Sequence, residues 1–255
     1  MEVEWRNLRA DQLRQRTEAM VIVPVAALEQ HGPHLPVEVD SRLAEALVLR
    51  TARKIAARGQ DALVLPVLWT GLSEHHMSFG GTISLDFPAF SALVEGVCRS
   101  IARHGFGRIV LLNAHGGNEN ALRTITDELT PKLGLSIVQF TYWFAAAPGI
   151  AEILEAQTGL QHACEAETSM MMALRPDLVA SDRIRLARVN PSANPEPGVY
   201  RWRTIAARSA SGVIGQPEAA TAAKGERLLE VISDTLAAKL TNKELWSLPW
   251  QAPAP

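Results

Sequence analysis

Cysteine is scarce in this chain: there are two in 255 residues, Cys98 and Cys164, too few for a disulfide framework. Charge of one sign is missing as well. The 25 lysines and arginines are balanced by 27 acidic residues, for a formal net charge of -2, and no basic run stands out. Such a chain has no electrostatic footprint for gripping a polyphosphate backbone, which argues against nucleic acid as a partner. No apolar run approaches the roughly 20 residues needed to span a bilayer, so no membrane association is expected. Met1–Arg16 mixes charges of both signs and has no apolar stretch, which predicts no secretory leader. A cytoplasmic location with reduced thiols follows as the expectation. Both GxGxxG and GxxxxGK[ST] are missing, which weakens a sugar-phosphate or nucleotide reading. No internal repeat is found.

What remains is an ordinary globular mixture, 47% hydrophobic, long enough for one large core, and a single domain over residues 1–255 is expected. Four short apolar runs, Met20–Ala26, Ala62–Leu68, Arg108–Asn113 and Leu135–Thr141, read as strands covered on both faces. Between them Ser41–Arg58, Pro88–His104 and Asn118–Lys132 have helical spacing, with Asp40 or Ser41 placed to cap the first. Two later helices are expected at Glu165–Ala173 and Glu218–Leu240. The alternation predicts an α/β fold, a three-layer αβα domain around a mainly parallel sheet. Arg183–Gly215, rich in Pro, Asn, Ser and Gly, reads as a lid or partner-contacting loop, and Val199, Tyr200, Trp202 and Ile205 make it too apolar for a free one. The tail Trp250–Pro255 is expected to be frayed.

The histidines cluster where strands end, the ligand crevice of open α/β sheets. Glu29-Gln30-His31-Gly32-Pro33-His34-Leu35-Pro36 follows the first strand and leads to Asp40. Two carboxylates and an imidazole in so short a stretch can converge on one divalent cation or a pair, Zn, Mn or Fe in preference to Mg or Ca; a solvated turn is the alternative. Glu74-His75-His76-Met77-Ser78-Phe79-Gly80-Gly81-Thr82 follows the second strand, and Asn113-Ala114-His115-Gly116-Gly117-Asn118 the third. A fourth cluster runs His162-Ala163-Cys164-Glu165-Ala166-Glu167, with His162 and Glu165 on one helical face and Glu167 open to a purely helix-terminal role. Cys164 reads as a structural thiol, since neighbouring carboxylates would raise the pKa of a nucleophile.

These runs, together with Gly212-Val213-Ile214-Gly215 leading into Pro217, resemble the creatininase (creatinine amidohydrolase) family over roughly residues 5–240. The resemblance implies a metal-dependent amidohydrolase with two divalent ions per chain, usually a homohexamer. Carried over by motif, Glu29, Asp40 and His115 would hold one ion, and His31 with a bridging Asp40 the other. A hydroxide held between the ions would attack the amide carbon. Creatininase has Tyr and Glu where this chain has Gly116 and Gly117, and that Glu is a ligand. A swap is therefore expected in which Glu165 completes the second ion's shell, with Glu167 as its support or substitute. His162 takes the acid/base role with Glu165 and Glu167 tuning it, and Ser78, Gly116, Gly117, Trp143 and His162 are assigned to the substrate. The resemblance implies a small-molecule, non-peptide amide, while relatives with His-Gly-Gly-Asn include deformylases and peptide-trimming enzymes. A catalytically silent metal-binding assembly subunit is the contrasting possibility.

Overall fold

The computed structural model describes residues 1–187, 199–248 and Trp250. The middle of the Arg183–Gly215 segment and the tail beyond Trp250, expected to be frayed, lie outside these residues.

The apolar runs form strands β1 (Met20–Val25), β2 (Ala62–Val64), β3 (Arg108–Asn113) and β4 (Ser136–Thr141), all parallel, in the order β2-β1-β3-β4. β2 is shorter than the expected Ala62–Leu68 because Pro66 has no N–H to give the ladder; pairing returns only as one bridge, Val25 to Leu68. Helices follow as α1 (Ala10–Arg14), α2 (Val39–Ala57), α3 (Phe87–Arg103), α4 (Glu119–Leu133), α5 (Tyr142–Ala145), α6 (Ala147–Ala151), α7 (Glu165–Leu174) and α8 (Ala222–Leu240). The short α1, α5 and α6 were not foreseen; five residues or fewer hold too little periodicity to be read.

Strand alternation sorts the core into two layers. Met20 and Ile22 of β1 pack with Leu43 and Leu47 of α2, Met170 of α7 and Ile232 of α8. Val21 and Val23 point the other way, against Phe90 and Val94 of α3 and Leu122 and Ile125 of α4. Burying each such side chain contributes about 1.5–3 kcal/mol, so the sheet is clamped from both faces.

Two helix starts differ from expectation by two residues or more, and one matters for the site. α2 begins at Val39, after Glu38, which makes no side-chain cap, so Asp40 is not a cap; it lies buried in the first turn. α8 begins at Ala222 rather than Glu218, because Pro217–Ala219 forms its own tight turn and the Thr221 hydroxyl accepts the Lys224 N–H. In the strand order, β1 passes through α2 to one edge of the sheet and β3 passes through α4 to the other. The crevice between the carboxyl ends of β1 and β3 is thus the topological switch point.

Candidate metal centre

Each element delivers its side chains to that crevice. Glu29 and His31 follow β1, Asp40 comes from the first turn of α2, His115 from the end of β3, and Glu167 from the first turn of α7; all five are buried. His31 Nε2 lies 3.2 Å from Asp40 Oδ1 and 3.9 Å from Glu167 Oε1. His115 Nδ1 lies 3.1 Å from Glu29 Oε2 and 3.2 Å from Asp40 Oδ2. Among the described residues, potential ligand atoms fall into three groups of mutual approach within 4.8 Å: Glu29/Asp40/His115, His31/Asp40/Glu167 and Glu29/His31/His162. Asp40 is common to the first two.

The outer nitrogen of each histidine is already committed. His31 Nδ1 lies 3.1 Å from the Glu29 carbonyl, and His115 Nε2 lies 3.1 Å from the Leu72 carbonyl, so the proton is held there. That leaves His31 Nε2 and His115 Nδ1 to present lone pairs to carboxylate oxygens. Among the described residues His31 Nε2 and Asp40 Oδ2 are buried without a hydrogen-bond partner: their close contacts are electrostatic and not aligned as hydrogen bonds. A lone pair facing a carboxylate in a dry site requires positive charge between them, and a divalent cation fits this donor set.

The electrostatics agree. Burial works against an imidazolium at His31, yet Asp40, Glu167 and Glu29 hold its pKa up at about 9. His115 is raised in the same way, burial being outweighed by Glu29 and Asp40. Burial opposes the charge on Asp40 too, but His31 and His115 keep its carboxyl well below the usual range. Glu167 is pushed up to about 7 by burial, with His31 opposing and Asp40 adding.

Glu165 does not complete this shell. Although fully buried, its carboxylate accepts from Lys224 Nζ at 2.7 Å and from the backbone N–H groups of Glu155 and Ala156 at 3.0 and 2.9 Å. The helical turn separates it from Glu167: two residues are about 200° of rotation, so one carboxylate faces α8 and the other the histidines. Ser78 is exposed and does not line the cavity, whereas Gly116, Gly117, Trp143 and His162 do. Gly117 has no space for a side chain, since a Cβ there would collide with the Leu72 carbonyl, the His115 ring and the His75 ring.

His162 is held by an antiparallel bridge to Ile214, and its Nε2 lies 2.9 Å from the Gln30 carbonyl. Its Nδ1 is 3.7 Å from Glu29 Oε1. Burial, then the charge of His31, keeps its pKa well below that of free histidine. Three further residues of the site had no assigned role: Gln30 and His76 lie in the sequence motifs, and Ser73 lies outside them. Gln30 accepts the Gly32 N–H at 2.8 Å, which turns its amide nitrogen toward the Gly212 carbonyl at 3.1 Å and His76 Nδ1 at 3.0 Å. His76 Nε2 then faces Glu29 Oε1 at 3.2 Å, and the Ser73 hydroxyl donates to Glu29 Oε2 at 2.8 Å. The flanking of Gln30 by Glu29 and His31 was a signal for the first, but the fold of the β2–α3 connection that brings in Ser73 and His76 was not.

A dry carboxylate–imidazole cluster at the switch point of a parallel sheet is the arrangement of a metal-dependent hydrolase. The family profile described as Creatinine amidohydrolase matches residues 1–240. A mycofactocin precursor peptide peptidase of Mycolicibacterium smegmatis is 34% identical over 214 residues, covering 82% of this chain and 79% of that protein. The creatinine amidohydrolase of Pseudomonas putida is 33% identical over 230 residues, covering 84% and 85%. The solved structure Creatininase Mn superposes with a TM-score of 0.82 at 29% identity, covering 97% of this chain and 100% of that one. This chain belongs to the creatininase family of metal-dependent amidohydrolases.

Proposed function

We propose that the chain binds two divalent ions, one between Glu29, Asp40 and His115 and the other between His31, Asp40 and Glu167, and hydrolyses a C–N amide bond of a substrate admitted through the cavity above them. The observation that carries this reading is the pair of buried, unpartnered atoms His31 Nε2 and Asp40 Oδ2, each aimed into the cluster. Zn, Mn and Fe all suit the donors. Divalent ions there would polarise the amide carbonyl and acidify a water molecule.

The protein's own groups supply the rest. His162, with its Nε2 proton given to the Gln30 carbonyl, has Nδ1 free to take a proton from water and return it to the leaving nitrogen. Burial, then the charge of His31, keeps that nitrogen unprotonated. The Gln30 carbonyl and His76 fix the orientations of His162 and Glu29, and Trp143 forms an aromatic wall. Among the relatives the substrate named differs, creatinine in one at 33% identity and a precursor peptide in another at 34%. The cavity of about 1430 Å³ has room for an extended amide, a peptide end among them, as well as for a compact ring. The expected restriction to non-peptide amides therefore lacks support from the site.

Assembly and compartment complete the proposal. Exposed Trp69, Ile83, Val199, Tyr200 and Trp202 support a homo-oligomer, a hexamer by family resemblance, whereas Ile205 packs inside its own chain with its N–H on the His75 carbonyl at 2.8 Å. Two buried free cysteines suit a reducing cytoplasm, and among the described residues no helix is long and apolar enough to cross a membrane. Elemental analysis of protein purified without chelator, followed by a panel of cyclic amides, formamides and short peptides, tests the function. Two metals and turnover on one class are expected; a metal-free protein that binds none on titration overturns it.

A further inference from the structure

The cavity over the metal centre is electrically lopsided. Arg201, Arg203 and Arg208 line it from one segment, and Glu74, Asp86 and Glu119 line it elsewhere. Two of the acids are engaged: Asp86 accepts the Ala89 N–H at 2.9 Å to start α3, and Glu119 pairs with Arg123 at 2.7 Å. Among the described residues none of the three arginines pairs with a carboxylate. Arg203 donates to the Ala207 carbonyl at 2.7 Å, while among the described residues the half-buried guanidinium of Arg208 has neither a hydrogen bond nor an ion pair.

Arg208 is also held in place. The N–H groups of Arg208 and Ser209 both reach the Ile205 carbonyl at 2.8 Å, Ile205 and Ser209 are buried, and the Ile205 N–H bonds the His75 carbonyl. The turn is therefore tied to the residue beside His76, and the His75 ring stacks on that of metal-centre His115 at 5.6 Å. Burial, then the charge of Arg203, lowers the pKa of Arg208, which marks a cation short of compensation.

An unpaired, partly desolvated guanidinium beside a catalytic cleft recognises an oxyanion, usually through two parallel hydrogen bonds. We propose that Arg208 receives a carboxylate or phosphate carried by the amide substrate, with Arg201 and Arg203 setting the charge of that wall, so that the enzyme selects anionic amides. This rests on the metal-hydrolase reading above and adds the substrate's charge to it.

The test uses full-length, Mn-loaded protein and hydroxamates, which chelate hydrolytic metals. A graded series of dicarboxylic acid monohydroxamates is titrated by calorimetry against neutral carboxamide counterparts of the same length, with phosphonate-bearing hydroxamates as a parallel arm. At one chain length the anionic member should bind about 10-fold tighter than its neutral counterpart. The stronger of the carboxylate and phosphonate arms names the group. Arg208→Gln should bring the ratio close to one and Arg208→Lys restore part of it, while binding of the neutral hydroxamate by each variant reports that the centre is intact. Equal binding of anionic and neutral members to the wild type at every length, or a preference that survives Arg208→Gln, overturns the inference. If no hydroxamate binds at all, the metal-hydrolase reading fails and takes this inference with it.

Discussion

Glu165 and Glu167 stand two residues apart in the first turn of α7, both buried, and their surroundings are opposite. The Glu165 side is complete: a lysine and two backbone N–H groups satisfy its oxygens, and Lys224 also reaches the Glu155 carboxylate at 2.9 Å and the Ala219 carbonyl at 2.7 Å. The Glu167 side is incomplete. Its backbone support, from Ala163 and from the Cys164 N–H at 3.4 Å, does not offset desolvation, and its carboxyl is pushed up to about 7 by burial. A buried charge with its partners in place holds a fold together, and a buried charge without them marks where something else must bind.

The largest expected effect separates the cluster from everything else. Asp40→Ala removes the carboxylate shared by both proposed ions, so metal content should fall from two to near zero and turnover by roughly 10³-fold or more. Full metal occupancy in that variant would show that Asp40 does not bridge.

The paired carboxylates come next. Glu167→Gln should lose one ion and most activity, while the metal-free protein melts no lower than wild type, because the side chain replaced is a poorly compensated acid. Glu165→Gln should keep both ions and lose stability, toward the lower end of the roughly 3–5 kcal/mol typical of breaking a buried pair, because Lys224 retains Glu155 and a carbonyl. Metal titration and thermal melts of the two variants read both. If Glu165→Gln lost an ion instead, the comparison would collapse.

A smaller effect probes how the Glu165 side is built. α8 approaches α7 closely at Gly225, where a Cβ would strike the Ser169 carbonyl, and this approach brings neighbouring Lys224 onto Glu165. Gly225→Ala should push the helices apart and cost about 1–3 kcal/mol in a denaturant melt, with metal content unchanged.

How much of this was legible follows the same division. Strands, crossover helices and the convergence of Glu29, His31, Asp40 and His115 could be read because each depends on local pattern: continuous apolar runs, helical spacing, and metal-type residues directly after strands. The choice between Glu165 and Glu167 could not. A three-residue spacing from His162 favoured Glu165, but the deciding partner, Lys224, lies 59 residues away in sequence, at the start of a helix whose approach depends on a glycine. Ser73 and Arg208 escaped for the same reason, since irregular connections carry them to the site, and His76 was placed at the crevice without a partner. Ser78 was the wrong polar residue from the right cluster, because the tight turn Glu74–Phe79 buries His76 and leaves Ser78 outside.

Cys164 gives the smallest expected effect and the finest test, because it sits at the junction of the two regions, immediately before α7. Its thiol is a candidate nucleophile by proximity to His162, yet it is fully buried and accepts the Gln161 N–H at 3.3 Å. Burial, then the charge of Glu167, pushes it up to about 12, so at about pH 8 only on the order of 10⁻⁴ of it is thiolate. Native protein should resist iodoacetamide at this position while denatured protein reacts, as peptide mass spectrometry would show. Cys164→Ala should keep both ions, turn over within about twofold of wild type, and melt slightly lower for the lost packing and the unpaired Gln161 N–H. Rapid alkylation of the native protein with matching loss of activity would instead make the thiol part of the chemistry and move the boundary of the reactive region from Glu167 to the start of the helix.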